Sequence, residues 1–403
     1  MRLPLICIAL LALTAAVSAA PLDVGDGSDG PLTVGGTVDL AVAAARLSAS
    51  VSAGAATIGV SSTAGFGAGD EILIVQMFAA GGAAGTYEFR RIQSVGVGTL
   101  TLTAPLANSY TSSAGAAEAQ VLAVPNYTDV TVASGGILRA PAFSGTVTAT
   151  GGILAFRAQG TVSVQSGGQI TVAARGHLGG PNESAAQPGE QGDSDQGPGG
   201  AGTAANGGGG GGGGSSGATG SGGGGGGYAT AGTSGGNAGG GIGVGGNPYG
   251  SADLATLPMG SAGGSGGGGT IGLSGFGGNG GGVITIAAGS ISISGTISAD
   301  GEDGGSGGGA GGGAGAGGGG AGAAGSLYLA GDLVTIQGGA QVTALGGVGG
   351  FPGISNPSGD GGDGGDGRIR IDYVTSVSGA TDPAAFVEQV GSPTGVGGFE
   401  MYR

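Results

Sequence analysis

A short strand-and-corner unit recurs along this chain and restricts its fold more than any other feature. At 281–300 the sequence reads GGVITIAAGSISISGTISAD, three runs of alternating β-branched residues separated by AAG and SG corners. The layout appears upstream at 151–176 (GGILAFRAQGTVSVQSGGQITVAARG) and downstream at 325–347 (GSLYLAGDLVTIQGGAQVTALGG), with a truncated copy from Asp366, DGRIRIDY. Period-two alternation specifies strands, and repetition of one small unit specifies a stack of coils. From Ala119 onward the runs follow at roughly eight residues each, so three would make a coil of about 24. The expected fold is all-β: a right-handed parallel β-helix, with inward Val, Ile and Leu forming the core and Gly at the corners. A sandwich is the competing architecture, but it does not require corners this even.

Upstream of the repeats, Ala56–Leu106 reads as a small antiparallel β-module. Its runs are Thr57–Val60, Asp70–Met77, Tyr87–Val95 and Thr99–Thr103, joined by glycine-bearing turns such as GFGAGD and GVGT. Thr37–Ala53 has no clear period and fits either a short helix or a cap. The divisions expected are a signal peptide at 1–19, leader and β-module at 20–118, first coils at 119–180, a glycine-rich insert at 181–280, further coils at 281–373 and a C-terminal cap or tail at 374–403.

The inserts are the second constraint. Glycine supplies 110 of 403 residues, with runs at Gly207–Gly214 and Gly222–Gly227. Shorter tracts occupy Gly301–Ala324 and Gly346–Gly365, and each tract leaves its unit after the third run, so stacked units would send the inserts out along one edge. One reading is three disordered loops. The other is extended left-handed helices packed side by side, of the polyglycine-II kind, which glycine permits because no Cβ blocks backbone approach. Segment 176–367 contains neither Lys nor Arg, and its other residues are mostly small.

Arg2, the apolar run Leu3–Val17 and the small residues Val17-Ser18-Ala19 make a secretory signal with a cleavage site, and the run is short for a membrane span. Cys7, the only cysteine, would leave with it, so the mature chain would hold neither disulfide nor Cys-bound metal. All ten basic residues are Arg, against 25 acidic ones. An acidic chain without lysine is a poor nucleic-acid binder.

Candidates for chemistry are few. His177 is the sole histidine, and no G-x-S-x-G elbow is present. Arg139, Arg157 and Arg175 recur every eighteen residues at run ends. A polysaccharide lyase would use such a base beside clustered acids, whereas corner arginines bonding carbonyls explain the spacing more simply. Asp23, Asp26 and Asp29 form one acidic array and Asp360, Asp363 and Asp366 another; carboxylates on glycine loops suit Ca²⁺, and the second array is the candidate site. Neither follows the EF-hand or the nonapeptide β-roll spacing. No other cofactor is expected. The Thr-x-Thr pairs at 99–103 and 146–150 are too scattered for an ice-binding face, and Asn126 and Asn182 open glycosylation sequons by pattern alone.

The block GFGAGDEILIVQM…GTYEFRRI…LTLTAPLANSYT followed by VPNYTDVTVASGGILRAPAF…GGILAFRAQGTVSV resembles secreted, Gly-rich bacterial surface proteins, including adhesin-like and gliding-associated proteins of myxobacteria. The resemblance covers about Thr57–Arg175. The inserts are similar in composition to the polyglycine-II bundles of phage tail-tip adhesins and some insect antifreeze proteins. These resemblances imply a β-helical surface or binding protein and designate no active site.

The expected function is therefore a secreted, non-catalytic structural or adhesive protein at the cell surface, with glycan, matrix or other cells as partners. Two alternatives stand beside it: a polysaccharide lyase or hydrolase on the same solenoid, and a subunit that self-associates into filaments through unpaired ends.

Overall fold

The structure, a computed structural model, describes residues 22–184, 186–270, 272–309, 315–354 and 359–391. The expected signal peptide lies outside them. The strands are β1 (Leu32–Val34), β2 (Thr37–Asp39), β3 (Ala44–Arg46), β4 (Thr57–Gly59), β5 (Glu71–Ala79), β6 (Tyr87–Gly96), β7 (Thr99–Leu102), β8 (Ala117–Ala123), β9 (Asn126–Tyr127) and β10 (Val130–Val132). There follow β11 (Ile137–Arg139), β12 (Ile153–Val164), β13 (Gln169–Thr171), β14 (Val283–Ile293), β15 (Thr296–Ser298), β16 (Ser326–Ile336), β17 (Gln341–Thr343), β18 (Arg368–Ser378) and β19 (Phe386–Gln389). No α-helix occurs among the described residues, and so no helix long and apolar enough to cross a membrane.

Two parallel sheets form the solenoid. The larger runs β1-β10-β12-β14-β16-β18-β19, with β9 also on β12; the smaller runs β17-β15-β13-β11-β2. Each repeat unit supplies one long strand and one short one. The runs VITI and SISI are thus halves of a single strand, β14, rather than separate strands. A shift in register between Ala158 and Thr161 where β12 meets β14 bends the ladder without ending it. A coil therefore has two β sides, and the glycine tract leaves where a third strand would close it.

Inward residues stack in columns, as the period-two pattern demands. Phe156, Ile286, Leu329 and Ile371 are in register, and so are Leu138, Ile170, Ile297 and Val342; all are buried. Each contributes about 1.5–3 kcal/mol by leaving water. The first coil comes from β1 and β2, in a stretch whose sequence shows no long alternation, because strands of three residues carry too little period to read.

The antiparallel module has the order β3-β8-β5-β6-β7-β4. Its β8 contains the AQVLA run, which looks like a coil run in sequence but pairs antiparallel with β5. One face of the module closes over its own core of Ile58, Ile72, Ile74, Ile92, Leu100 and Val121. The other, with Leu73, Val75, Met77 and Phe78, packs on the outer face of the large sheet at Ile153, Ala155, Val283 and Tyr328. Tyr228, Leu257 and Met259, from within the first insert, complete this second core. Three parts of the chain, far apart in sequence, are thereby bound together.

The inserts are hydrogen-bonded legs outside both sheets. Leg 220–228 displays the pattern. Ser221, Gly224 and Gly227 donate to Gly214, Gly211 and Gly208; Gly222 and Gly225 donate to Gly236 and Thr233; Gly223 and Gly226 donate to Gly318 and Ala321. Its carbonyls receive Gly264 and Gly267 at Gly224 and Ser221, Gly243 and Gly246 at Gly222 and Gly225, and Gly362 and Gly365 at Gly223 and Gly226. Successive N–H groups therefore address three different neighbours with a period of three, and successive carbonyls address three more. A Cβ on Gly223, Gly224 or Gly225 would collide with the carbonyl oxygen of Gly264, Val244 or Asp363 respectively. Leg 315–325 joins all three inserts, donating to 261–267, 299–308 and 359–365.

Candidate functional site

The recurring arginines occupy different settings. Arg157, on β12, is 3% exposed; its Nε and Nη2 donate to Glu71 of β5 at 2.8 and 2.7 Å, and Nη1 donates to the Asp23 carbonyl at 2.5 Å. Burial works against the charge, but the Glu71 carboxylate outweighs it and holds the guanidinium above its ordinary value. The Phe89 ring lies 4.7 Å from the guanidinium carbon, and the Asn126 amide donates to the same carboxylate. This residue ties leader, module and solenoid together and has no open side for a substrate. Arg139 is half-exposed and pairs with Asp39 on the adjacent strand at 2.6 Å, which holds that carboxyl below its usual value. Arg175 is half-buried at the start of the first insert.

A second arginine lock was not singled out in the sequence. Arg370, on β18, meets Asp372 at 2.7 Å and Glu388 at 2.6 Å and donates to the Asp253 carbonyl at 2.5 Å. Tyr328 donates to the same Asp372 at 2.6 Å. The R-x-R-x-D alternation of β18 was the available signal, since residues two apart share a face.

His177 is 1% exposed, packed edge-on against Phe143 with ring centroids 5.7 Å apart, and neither ring nitrogen has a hydrogen-bond partner. Burial pushes it down to about 3, so it is neutral at physiological pH.

In the two aspartate arrays, the carboxylates of Asp23, Asp26, Asp29, Asp363 and Asp366 accept from backbone amides, and Asp360 accepts the Gly236 amide through its carbonyl. Asp363 and Asp366 accept from Gly349 and Gly346, while their own N–H groups donate to the Thr233 and Thr230 hydroxyls. On the same leg, Leu345 and Val348 donate to Asp300 and Asp303. Carboxylates spaced by three thus stand in for carbonyls at the bundle edge. Asp23 and Asp26 accept from Gly25 and Ser28, and Asp29 accepts from Asn126. Among the described residues no group of three His, Cys, Asp or Glu is placed to hold a metal ion.

Among the described residues, exposed apolar side chains gather on the bundle rim. Gly305 and Gly308 of leg 299–308 donate to Phe276 and Leu273 on one flank; Gly304 and Gly307 donate to Val348 and Phe351 on the other. Phe276 and Val348 therefore lie at one level, and Leu273 and Phe351 about one turn further on. Phe276 is 47% and Phe351 72% exposed, and the Phe276 ring covers the position a Gly305 side chain would fill. This surface was not singled out in the sequence, although the L-x-x-F and V-x-x-F spacings match the period of an extended three-residue helix. A groove of about 290 Å³ between the module and the loop at 141–151 is lined mainly by small and aliphatic side chains, among them Ala44, Leu122 and Ile153.

No family model matches the chain, and no curated protein matches it. Among solved structures it is similar to tailspikes of phages. Gp54 of Acinetobacter baumannii bacteriophage AP22, solved with A. baumannii capsular saccharide, aligns at 9% identity and TM-score 0.20 over 35% of this chain and 28% of the tailspike. Gp49 of Pseudomonas phage LKA1 aligns at 18% identity and TM-score 0.20, over 38% and 31%. Gp61 of Pseudomonas phage phi297 aligns at 13% identity and TM-score 0.19, over 89% and 53%. The chain thus spans about a third to a half of the tailspikes' length.

Proposed function

We propose that this is a secreted, non-catalytic surface protein: a right-handed parallel β-helix displaying a polyglycine-II bundle whose rim binds neutral glycan on matrix or cells. The observation that carries the reading is the rim itself. Leu273, Phe276, Val348 and Phe351 straddle a leg that is mostly glycine, and aromatic side chains left in water at such cost in solubility mark interaction surfaces. Asp303 and Ser306, exposed on the same leg, offer polar groups beside the rings. The absence of Lys and Arg from 176–367 disfavours anionic polymers there and leaves uncharged sugars as the better match. Against the lyase alternative, Arg157 is committed to Glu71 and Arg139 to Asp39.

The test is retention on a panel of immobilised neutral and acidic polysaccharides, with released sugar measured in the same fractions. Retention on a neutral glycan that falls tenfold or more in the Phe276→Ser/Phe351→Ser double variant, roughly the loss of two aromatic anchors, supports the reading. Sugar release abolished by Arg139→Ala or Arg175→Ala would replace it with an enzyme.

A further inference from the structure

Leg 345–354 carries its exposed side chains in one straight column. Gly347, Gly350 and Gly353 donate to Gly322, Gly319 and Ala316 on the leg beneath, so the three-residue period holds from 347 to 353. The residue after each donor faces solvent: Val348 is 61%, Phe351 72% and Ile354 89% exposed. An extended three-residue helix rises about 3.1 Å per residue, which sets neighbours in the column about 9.3 Å apart. Leu273 and Phe276, across leg 299–308, add a second and shorter column of the same period.

Carboxylates line both flanks of this column at the same period. The Val348 and Phe351 carbonyls receive leg 299–308, whereas those of Gly347 and Gly350 receive leg 359–366, so the two legs lie on opposite flanks. From the first, Asp300 and Asp303 accept the amides of Leu345 and Val348 at 2.8 and 2.7 Å; from the second, Asp366 and Asp363 accept those of Gly346 and Gly349 at 3.4 and 2.9 Å. Asp303 and Asp363 remain exposed. A carboxylate has two oxygens and about four acceptor positions, so one amide leaves room for further donors. The result is an apolar spine with hydrogen-bond acceptors on either side, straight for two turns or about 19 Å. Such a surface matches a ligand with apolar faces and donating edges, and its acid rows repel chains that carry uronate, sulfate or phosphate.

Pyranose rings in an extended β-1,4-linked chain present C–H faces and hydroxyl edges. Successive rings turn over, so the chain repeats every two sugars, at close to the length of one leg turn. An α-1,4-linked chain coils away from a straight line and holds no such register. We propose that the spine of Val348, Phe351 and Ile354 takes a single β-1,4-linked neutral chain lying parallel to leg 345–354, one disaccharide to each turn. The inference rests on the neutral-glycan reading above and adds the linkage and the direction of the chain. Two turns correspond to about four sugars, so a disaccharide fills only part of the site.

The experiment titrates the full chain by isothermal calorimetry with cellobiose, cellohexaose and maltohexaose. Cellohexaose is expected to bind about tenfold more tightly, or better, than either of the others, tenfold being roughly the worth of one well-placed anchor. Two exposed-site variants, each checked for wild-type circular dichroism, locate the chain. Ile354→Ser should weaken cellohexaose about tenfold and leave cellobiose, which needs one turn of the spine, unchanged, whereas Phe351→Ser should weaken both. Maltohexaose binding as tightly as cellohexaose, a hexaose no tighter than the disaccharide, or full cellohexaose affinity in Ile354→Ser would overturn the inference and leave a neutral-glycan protein standing. Retention on no neutral polysaccharide of the panel would overturn the functional reading, and this inference with it.

Discussion

Gly224→Ala asks whether the glycine legs are close-packed. Its N–H donates to Gly211 at 2.8 Å, and its carbonyl accepts from Gly264 at 2.9 Å. The added methyl would overlap the Val244 carbonyl oxygen at a separation that real Cβ atoms do not show, and the obstacle is backbone, not a side chain that can swing aside. The legs must part. Overpacking in a filled interior costs typically 1–3 kcal/mol, and two weakened hydrogen bonds add about 0.5–1.5 kcal/mol each. The smaller entropy of an unfolded chain carrying alanine returns about 0.4–1 kcal/mol. The net expectation is a loss of about 1–5.5 kcal/mol. Gly338→Ala is the control: nothing lies within 4 Å of its prospective Cβ, and its backbone is not left-handed, so the same substitution should be neutral or stabilising by about 0.4–1 kcal/mol. Denaturant melts followed by circular dichroism, with hydrogen exchange of the bundle amides to localise the effect, measure both. Equal stability of Gly224→Ala and wild type, with unchanged amide protection, would refute close packing of the legs.

Arg157→Met should cost about 3–5 kcal/mol by stranding the buried Glu71 carboxylate, and Arg157→Met/Glu71→Leu should recover much of it; a double-mutant cycle in urea checks this. His177 is held well below its ordinary value by burial, so the unfolded chain binds the extra proton and stability falls as pH drops from about 6.5 toward 3. His177→Phe should flatten that limb in melting temperature against pH. Asp193 is raised to about 6, chiefly by burial, so the folded state binds the proton and stability declines as pH rises from about 4 to about 6. Asp193→Asn keeps an acceptor for the Gly199 amide and should melt higher than wild type above pH 6 and lose that decline. If Asp360, Asp363 and Asp366 bind Ca²⁺, the melting temperature will rise with added Ca²⁺ and the rise will vanish in Asp363→Ala/Asp366→Ala; without Ca²⁺ that variant should still lose about 0.5–1.5 kcal/mol for each amide left unpaired.

The coil residues were legible because their information is local. The alternation in VITIAAGSISI places Ile284, Ile286, Ile291 and Ile293 on one face whatever lies beyond, and repetition of the unit announces a parallel stack. The turns and four strands of the small module were legible for the same reason. What tertiary structure decided is pairing across distance. The AQVLA run alternates like a coil strand, and only its antiparallel partner β5 assigns it to the module. Arg157 looks like one of three equivalent corner arginines until the module brings Glu71 against it, 86 positions away. The glycine runs themselves carry no side-chain pattern, and the three-residue spacings at Leu273/Phe276, Val348/Phe351 and Asp360/Asp363/Asp366 are too few to separate a loose loop from a packed leg. That choice rests on which backbones come to lie beside them, and it is made by the coils that fix where each tract leaves and returns. The rim of Leu273, Phe276, Val348 and Phe351 follows from the same cause, being split between two inserts that only the stacked coils hold side by side.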